Sequence, residues 1–206
     1  MLSHSFFNQD AVQLAKKLLG KVLCARYQQI FLCAKIIETE AYYIHEKASH
    51  ASLGYTEKRK ALFMPAGTIY MYYSRGGDSL NVSAKGEGNA VLIKSAVPYE
   101  KAENFDQMIL SMQRLNPKPD GSFRDPLKLC SGQVLMCRSL GLTVKKWDQQ
   151  QFNEDFFICN VNYRPKKIIQ TTRLGIRPDR DAHLPYRFID EKYLKYCTKH
   201  KSARAD

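Results

Sequence analysis

The feature that most constrains the fold is a series of strand-type segments joined mostly by short polar connections. Runs rich in β-branched, aromatic and other apolar residues occupy 22–27, 31–37, 68–73, 80–84, 90–97, 155–161, 168–176 and 186–189. Short connections join antiparallel neighbours, whereas parallel strands need long crossovers. The sheet is therefore predicted to be largely antiparallel, with 68–97 as a three-strand meander.

Helical patterns are few and lie around these strands. Periodic apolar residues with capping and stop signals predict helices over 10–19, 100–115 and 131–140. Helices beside an antiparallel sheet define the α+β class. A chain of 206 residues, of which 44% are hydrophobic, fits one domain with a substantial core. The lysine-rich end, 191–206, is predicted to be a basic tail that fades into disorder.

The charge balance indicates an anionic partner. The formal net charge is +12, which favours nucleic acid or an anionic membrane surface, with a generic basic protein as the alternative. The N-terminus lacks the pattern of a secretory signal, and no apolar run is long enough to span a membrane.

The six cysteines show no metal-ligand spacing. Several lie within apolar runs, where a cysteine behaves as a small hydrophobic residue. A reducing compartment is therefore expected.

One stretch, KIIETEAYYIHEKASH at 35–50, combines groups suited to acid–base chemistry. Its two isoleucines are predicted to end a buried strand, and Glu38, Glu40, Tyr42, His45 and His50 are placed in the loop that follows. Carboxylates close to rings and imidazoles can form an acid–base site, although carboxylates at strand ends are also commonly solvated.

An ordered set of motifs carries a resemblance to a known family. These motifs are ETEAY followed by ASH, MPAGTIYMYY, LNVSAKGEGNAVLIKSAVP, LCSG with CRSLGL, TRLGI and YRF. Together they resemble the alkyladenine (3-methyladenine) DNA glycosylases, also called methylpurine glycosylases, and their order along the chain is the family's. The resemblance covers nearly all of 1–190, which is therefore assigned to a methylpurine-DNA-glycosylase-like domain.

The resemblance implies a single domain in which helices surround a curved, mostly antiparallel sheet. It implies a monofunctional DNA repair enzyme that flips an alkylated or deaminated purine out of DNA and hydrolyses its N-glycosidic bond, leaving an abasic site. No organic cofactor or catalytic metal is expected. The expected partner is damaged DNA, with no membrane association, and the expected state is a monomer. The location would be the cytoplasm, with the nucleoid, in a bacterium and the nucleus in a eukaryote.

Three residues fall on the family's catalytic positions. Glu40 matches the general base that activates the attacking water. Lys94 takes the place of an arginine that helps to hold this water, although a lysine in AVLIKSAV could also reach solvent from a sheet edge. Because a lysine cannot make an arginine's forked contacts, the water is expected to be held more loosely. Leu174 matches a residue whose backbone carbonyl touches the same water.

Four residues fall on the family's base-binding pocket. Tyr42 and Tyr72 match opposing aromatic walls, and Asn81 matches the asparagine that crowds out the exocyclic amine of normal guanine. His50 matches the pocket histidine, with His45 as the alternative because the spacing from the catalytic glutamate is one residue tighter than in the family.

The predicted hairpin tip, SRGGDS at 74–79, departs from the family. It lacks the bulky residue that normally fills the gap left by a flipped base. Arg75 is the only long side chain there, and it could stack in this gap or contact a phosphate. The expected consequence is weaker flipping from intact duplex and relatively better action on single strands.

Two other functions remain to be weighed. The first is a non-catalytic nucleic-acid-binding protein of the same fold. A related sheet occurs in an RNA-binding domain of formyltransferases, so a basic protein of this shape could bind nucleic acid without catalysis. A hydrolase of free nucleosides is disfavoured by the positive charge and by the lack of clustered aspartates for a metal.

Overall fold

The structure is a computed structural model that describes residues 1–74 and 76–199. Helices α1–α5 cover His4–Phe7, Ala11–Leu18, Phe105–Leu115, Gln133–Ser139 and Val144–Trp147. Strands β1–β8 cover Val22–Tyr27, Ile30–Tyr42, Ile69–Ser74, Gly77–Ser83, Ala90–Pro98, Phe156–Cys159, Ile168–Thr171 and Arg187–Asp190. Short 3₁₀ helices cover Ala51–Leu53, Glu57–Phe63, Pro126–Lys128 and Glu191–Tyr196.

The strands form one antiparallel sheet around β2. The order is β3-β4-β5-β2-β1-β6, and β8 joins β2 to β7. Strand β2 pairs with β5 along one side, and along the other it pairs first with β1 and then with β8. The sheet is curved into a half-barrel with helices against it, which confirms the α+β prediction, and β3-β4-β5 is the predicted meander.

Strand β2 is longer than predicted, and this changes where its polar residues lie. The sequence analysis placed Glu38, Glu40 and Tyr42 in a loop, but all three are on β2. That placement was wrong because β5 and β8 both pair with this part of the strand, which satisfies its backbone groups. Both carboxylates are fully buried and have cationic partners, which offset the cost of burying charge.

Helix α2 fixes the orientation of β2. Asp10 caps the helix by accepting hydrogen bonds from two backbone N–H groups of its first turn. The Thr39 hydroxyl donates to the carbonyl of Ala15 at 2.9 Å, so Thr39 faces the helix. Because side chains alternate along a strand, Glu38 and Glu40 point to the opposite face.

Two cysteines of the first hairpin are joined. Cys24 and Cys33 are directly opposed in the β1–β2 register, with Cα atoms 4.2 Å apart, and form a disulfide. The sequence analysis treated the cysteines only as small apolar residues and did not predict this bond, because hairpin register brings together residues that have no recognisable spacing motif.

The predicted basic tail is packed against the domain over its first part. Tyr193 and Cys197 are buried with Ile37 and Ile189 in a small apolar cluster. The first part of this segment therefore packs against the domain through apolar side chains, which burial stabilises, while Lys192, Lys195 and Lys199 remain exposed. Residues 200–206 lie outside the described residues.

Candidate active site

The carboxylate of Glu40 is fully buried and is held by groups from three segments. The Tyr42 hydroxyl donates to Oε2 at 2.8 Å, and the backbone N–H of Leu174 donates to Oε1 at 3.3 Å. The ammonium of Lys94, on β5, lies 3.5 Å from Oε1. A buried carboxylate held in this way is oriented in advance and can accept a proton without rearranging.

Glu38, two residues earlier, is used differently. Its Oε1 accepts a hydrogen bond from Arg187 Nε at 2.6 Å. Its Oε2 accepts from the Ser95 hydroxyl at 2.5 Å and from the Thr198 backbone N–H at 2.9 Å. These contacts join β2 to β5, β8 and the C-terminal segment, so the carboxylate of Glu38 ties the sheet together.

Aromatic rings and polar groups line a cavity of about 230 Å³ beside Glu40. Tyr42, His50, Tyr70 and Tyr72 supply the rings, and the His50 and Tyr72 centroids are 4.5 Å apart. The volume is slightly below the range of roughly 300–1,000 Å³ typical of drug-sized ligand pockets, which suits a small flat molecule.

The structure places His50, and not His45, at this cavity. His50 Nδ1 is 2.8 Å from the Tyr70 hydroxyl oxygen, which fixes the ring edge-on to the tyrosines. His45 stacks on Tyr43 with ring centroids 5.5 Å apart and does not line the cavity.

The pKa values of two cavity groups are shifted by their surroundings. Burial raises the pKa of the Tyr42 hydroxyl well above its ordinary value, and the adjacent Glu40 carboxylate adds to this rise. Tyr42 therefore stays protonated and remains a hydrogen-bond donor. Partial desolvation lowers the pKa of His50, and the cations Arg59 and Arg180 lower it further, so this imidazole is neutral at pH 7.

The other residues expected at the site lie in or beside the cavity. Asn81 is buried in its wall and donates from Nδ2 to the backbone carbonyl of Tyr70 at 3.2 Å. Lys94 also lines the wall and is nearly fully buried, so it is not a solvent-reaching lysine. Leu174 contributes its N–H to Glu40, whereas the resemblance concerned its carbonyl.

Arg173 is a site residue that the sequence analysis missed. Its guanidinium carbon lies 4.5 Å from the centroid of the Tyr42 ring, and its Nη1 donates to the carbonyl of Ala41 at 2.9 Å and to Glu46 Oε2. The cation supports the tyrosine wall through a cation–π contact. Its position in TRLGI, immediately before Leu174, was the only available signal.

The β3–β4 hairpin forms one edge of the cavity, where Ser74 lines it. Arg75, the expected DNA contact, lies outside the described residues. The carbonyl of Gly76 accepts a hydrogen bond from Arg138 Nη2 at 2.7 Å, which attaches the tip to α4.

Within residues 1–74 and 76–199, no group of three or more His, Cys, Asp or Glu side chains is arranged to hold a metal ion. In the same part of the chain, none of the helices has the length and apolar character needed to cross a bilayer.

Comparison with known proteins shows which family the chain is related to. The methylpurine-DNA glycosylase family matches residues 5–193. A Pseudomonas savastanoi pv. phaseolicola protein is 53% identical over 204 residues, which cover 98% of this chain and 92% of that protein. A Pseudomonas aeruginosa protein is 52% identical, covering 98% of this chain and 85% of its own length. A Clostridium beijerinckii protein is 34% identical over 94% of this chain and 98% of its own length. All three are provisionally named 3-methyladenine DNA glycosylase. This chain belongs to the methylpurine-DNA glycosylase family.

Proposed function

We propose that this protein is a DNA glycosylase that removes alkylated purines from DNA. The observation that carries the proposal is the buried Glu40 carboxylate, which lies beside a cavity walled by tyrosines. A protein that only bound nucleic acid would have no use for a buried carboxylate beside its binding cavity, and burying such a charge costs several kcal/mol before its partners compensate. The net charge of +12 suits a polyanionic substrate.

The cavity fits a purine rotated out of the helix. A base stacked in duplex DNA cannot reach Glu40, so its nucleotide must leave the stack at a cost of roughly a few kcal/mol. Stacking between Tyr42 and the His50–Tyr72 pair returns about 1–3 kcal/mol per base contact. An alkylated purine that carries a positive charge gains further from the electron-rich faces of the tyrosine rings.

In the proposed reaction, the bond between the purine nitrogen and sugar C1′ breaks with its electron pair going to the base. A cationic alkylated purine leaves as a neutral molecule, and the sugar passes through an oxocarbenium-like state. Glu40 stabilises this cation and accepts a proton from the attacking water, whose oxygen bonds to C1′ and leaves an abasic site. Lys94 compensates the charge of the carboxylate, and the Leu174 N–H and Tyr42 hydroxyl hold its orientation.

We also expect the lesions to differ in their rates of release. A neutral deaminated purine such as hypoxanthine leaves well only if it is protonated. His50 is a poor proton donor at pH 7 because its pKa is lowered and its Nδ1 is engaged with Tyr70. Cationic lesions, 3-methyladenine and 7-methylguanine, are therefore expected to be released faster than hypoxanthine or ethenoadenine.

The test is a base-release assay on oligonucleotides that carry each of these four lesions, in single-stranded and double-stranded form. Abasic sites are detected by alkaline cleavage of the strand. We expect release of the alkylated bases by the wild type, and near-complete loss of release in Glu40→Gln. Tight binding of the lesions without any release would support the non-catalytic alternative.

A further inference from the structure

Tyr73 is a large aromatic residue that the proposed reaction does not use. It lies at the end of β3, where side chains alternate, so Tyr72 faces the cavity and Tyr73 faces away from it. Its relative exposure is 70%, whereas Tyr70, on the same strand, is 3% exposed. Among residues 1–74 and 76–199, the Tyr73 side chain has no hydrogen-bond or ring-stacking partner.

The hairpin that carries Tyr73 is held in place by α4. Gly77 lies so close to Val134 that a Cβ built on it would be 2.2 Å from Val134 Cγ1. The hydrogen bond from Arg138 to Gly76 fixes the tip as well. The backbone that carries Tyr73 is therefore held in place, and little backbone freedom is lost when the ring binds a ligand.

Exposed cations lie on the helices that contact this hairpin. Asp78 is the cross-strand partner of Tyr73, and its Oδ1 accepts a hydrogen bond from the Val144 N–H at 3.5 Å. This contact brings the first turn of α5, with the exposed side chains of Lys145 and Lys146, beside the hairpin. Arg138 is also exposed and lies at the hairpin tip.

We propose that Tyr73 stacks on an unpaired base adjacent to the nucleotide held in the cavity, and that Lys145, Lys146 and Arg138 contact the flanking phosphates. The proposal rests on the proposed function, because the cavity defines which nucleotide is extracted. A flat exposed ring with cations around it is the arrangement that binds single-stranded DNA without sequence preference. The occupant is single-stranded DNA because the cations complement its backbone and because an unpaired base offers a free face to the ring.

The hairpin then separates two consecutive nucleotides, one against Tyr72 inside the cavity and the next against Tyr73 outside it. In an intact duplex the second base is already stacked and paired, so the gain from Tyr73 is lost. The surface therefore predicts tighter binding and faster base release in single-stranded or loosely paired DNA than in intact duplex.

The experiment measures the Kd for undamaged single-stranded and duplex oligonucleotides by fluorescence anisotropy. Tyr73→Leu keeps an apolar side chain and removes the ring, whereas the matched variant Tyr73→Phe keeps the ring and removes only the hydroxyl. We expect Tyr73→Leu to weaken single-strand binding by about 5- to 150-fold, the equivalent of about 1–3 kcal/mol, and to leave duplex binding unchanged. Tyr73→Phe should bind as the wild type does.

The salt dependence separates stacking from charge. Tyr73→Leu should leave the slope of log Kd against log salt unchanged, because no phosphate contact is lost. Lys145→Ala should reduce the magnitude of that slope by about one. Thermal unfolding checks that the variants fold, and Tyr73→Trp, with a larger ring, should bind at least as tightly as the wild type.

Wild-type affinity in Tyr73→Leu, or equal losses in Tyr73→Leu and Tyr73→Phe, would overturn the stacking role. Because binding is measured on undamaged DNA, the result does not depend on base release. A wild type that releases no base while Tyr73→Leu weakens single-strand binding would refute the proposed function alone. A wild type that releases bases while Tyr73→Leu binds normally would refute the stacking role alone.

Discussion

Replacing Glu40 by glutamine removes the proposed proton acceptor with little change of shape. The glutamine carbonyl can take the position of Oε1, facing Lys94 and the N–H of Leu174, which lie 3.5 and 3.3 Å away. Its amide group then faces the Tyr42 hydroxyl, which can accept a hydrogen bond instead of donating one. The cavity walls keep their positions, so the substitution tests the chemistry of one carboxylate.

The expected effect follows from the role of a general base. Such a group contributes typically 10²–10⁴-fold to the rate, which corresponds to about 3–5 kcal/mol of activation free energy. We expect single-turnover release of 3-methyladenine by Glu40→Gln to slow by at least about 100-fold. The Kd for the same oligonucleotide should change only by a few-fold, because the stacking rings remain.

The matched control is Glu38→Gln, the same substitution two residues earlier on β2. Glu38 is bound to Arg187, Ser95 and the Thr198 N–H, so its loss leaves a buried guanidinium without its charge partner. We expect the free energy of unfolding to fall by roughly 3–5 kcal/mol while the folded protein still releases base. Release by Glu40→Gln at the wild-type rate would refute the assignment of the base, and equal losses in the two folded variants would refute the division of roles.

Three further predictions concern the walls of the cavity and the groups that support them. Tyr42→Phe keeps the ring and removes the hydroxyl that donates to Glu40. Base release should slow by about 10- to 150-fold, because a hydrogen bond to a charged group contributes about 1.5–3 kcal/mol. The Kd for DNA should stay unchanged. Arg173→Met leaves the buried carboxylate of Glu46 unpaired, so the free energy of unfolding in urea should fall by roughly 3–5 kcal/mol, and the double variant with Glu46→Gln should recover part of this loss. Because the pKa of His50 is lowered in the folded protein, the unfolded chain takes up a proton there at a higher pH than the folded protein does. The free energy of unfolding of the wild type should therefore fall as the pH drops below about 6.5. His50→Gln should lose less stability than the wild type between about pH 7.5 and 5.5 in urea titrations.

The approximate positions of the strands and the β3-β4-β5 meander could be predicted from the sequence because strand patterns and turn residues are local signals. The extent of β2 could not. Charged residues interrupt its apolar pattern, and the groups that make their burial possible lie far away in the chain. Arg187, the partner of Glu38, is separated from it by 149 residues. Sequence patterning predicts whether a charge is exposed only when its partner is local.

The candidate site, like the fold, could be predicted only in part from the sequence. Motif resemblance brought Glu40, Tyr42, Tyr72 and Lys94 together, and the structure places all four at or beside one cavity. Arg173 was missed because its contact with the Tyr42 ring depends on the path of the loop after β7, and no regular sequence pattern predicts that path. Spacing alone did not decide between the two histidines, whereas in the structure the segment after β2 turns the ring at position 50 toward Tyr70 and the cavity.

The three groups that hold the carboxylate of Glu40 belong to segments that are distant in sequence. Tyr42, on β2, contacts Oε2, whereas Lys94, on β5, and Leu174, in the loop after β7, both contact Oε1. The sheet must therefore be fully assembled before this group is desolvated and oriented. The motif ETEAY in an unfolded segment would be a solvated acidic peptide with no catalytic geometry, since preorganisation is a property of the folded surroundings. It follows that the contacts of Glu38, which join β5, β8 and the C-terminal segment to β2, support the chemistry proposed for Glu40 without taking part in it.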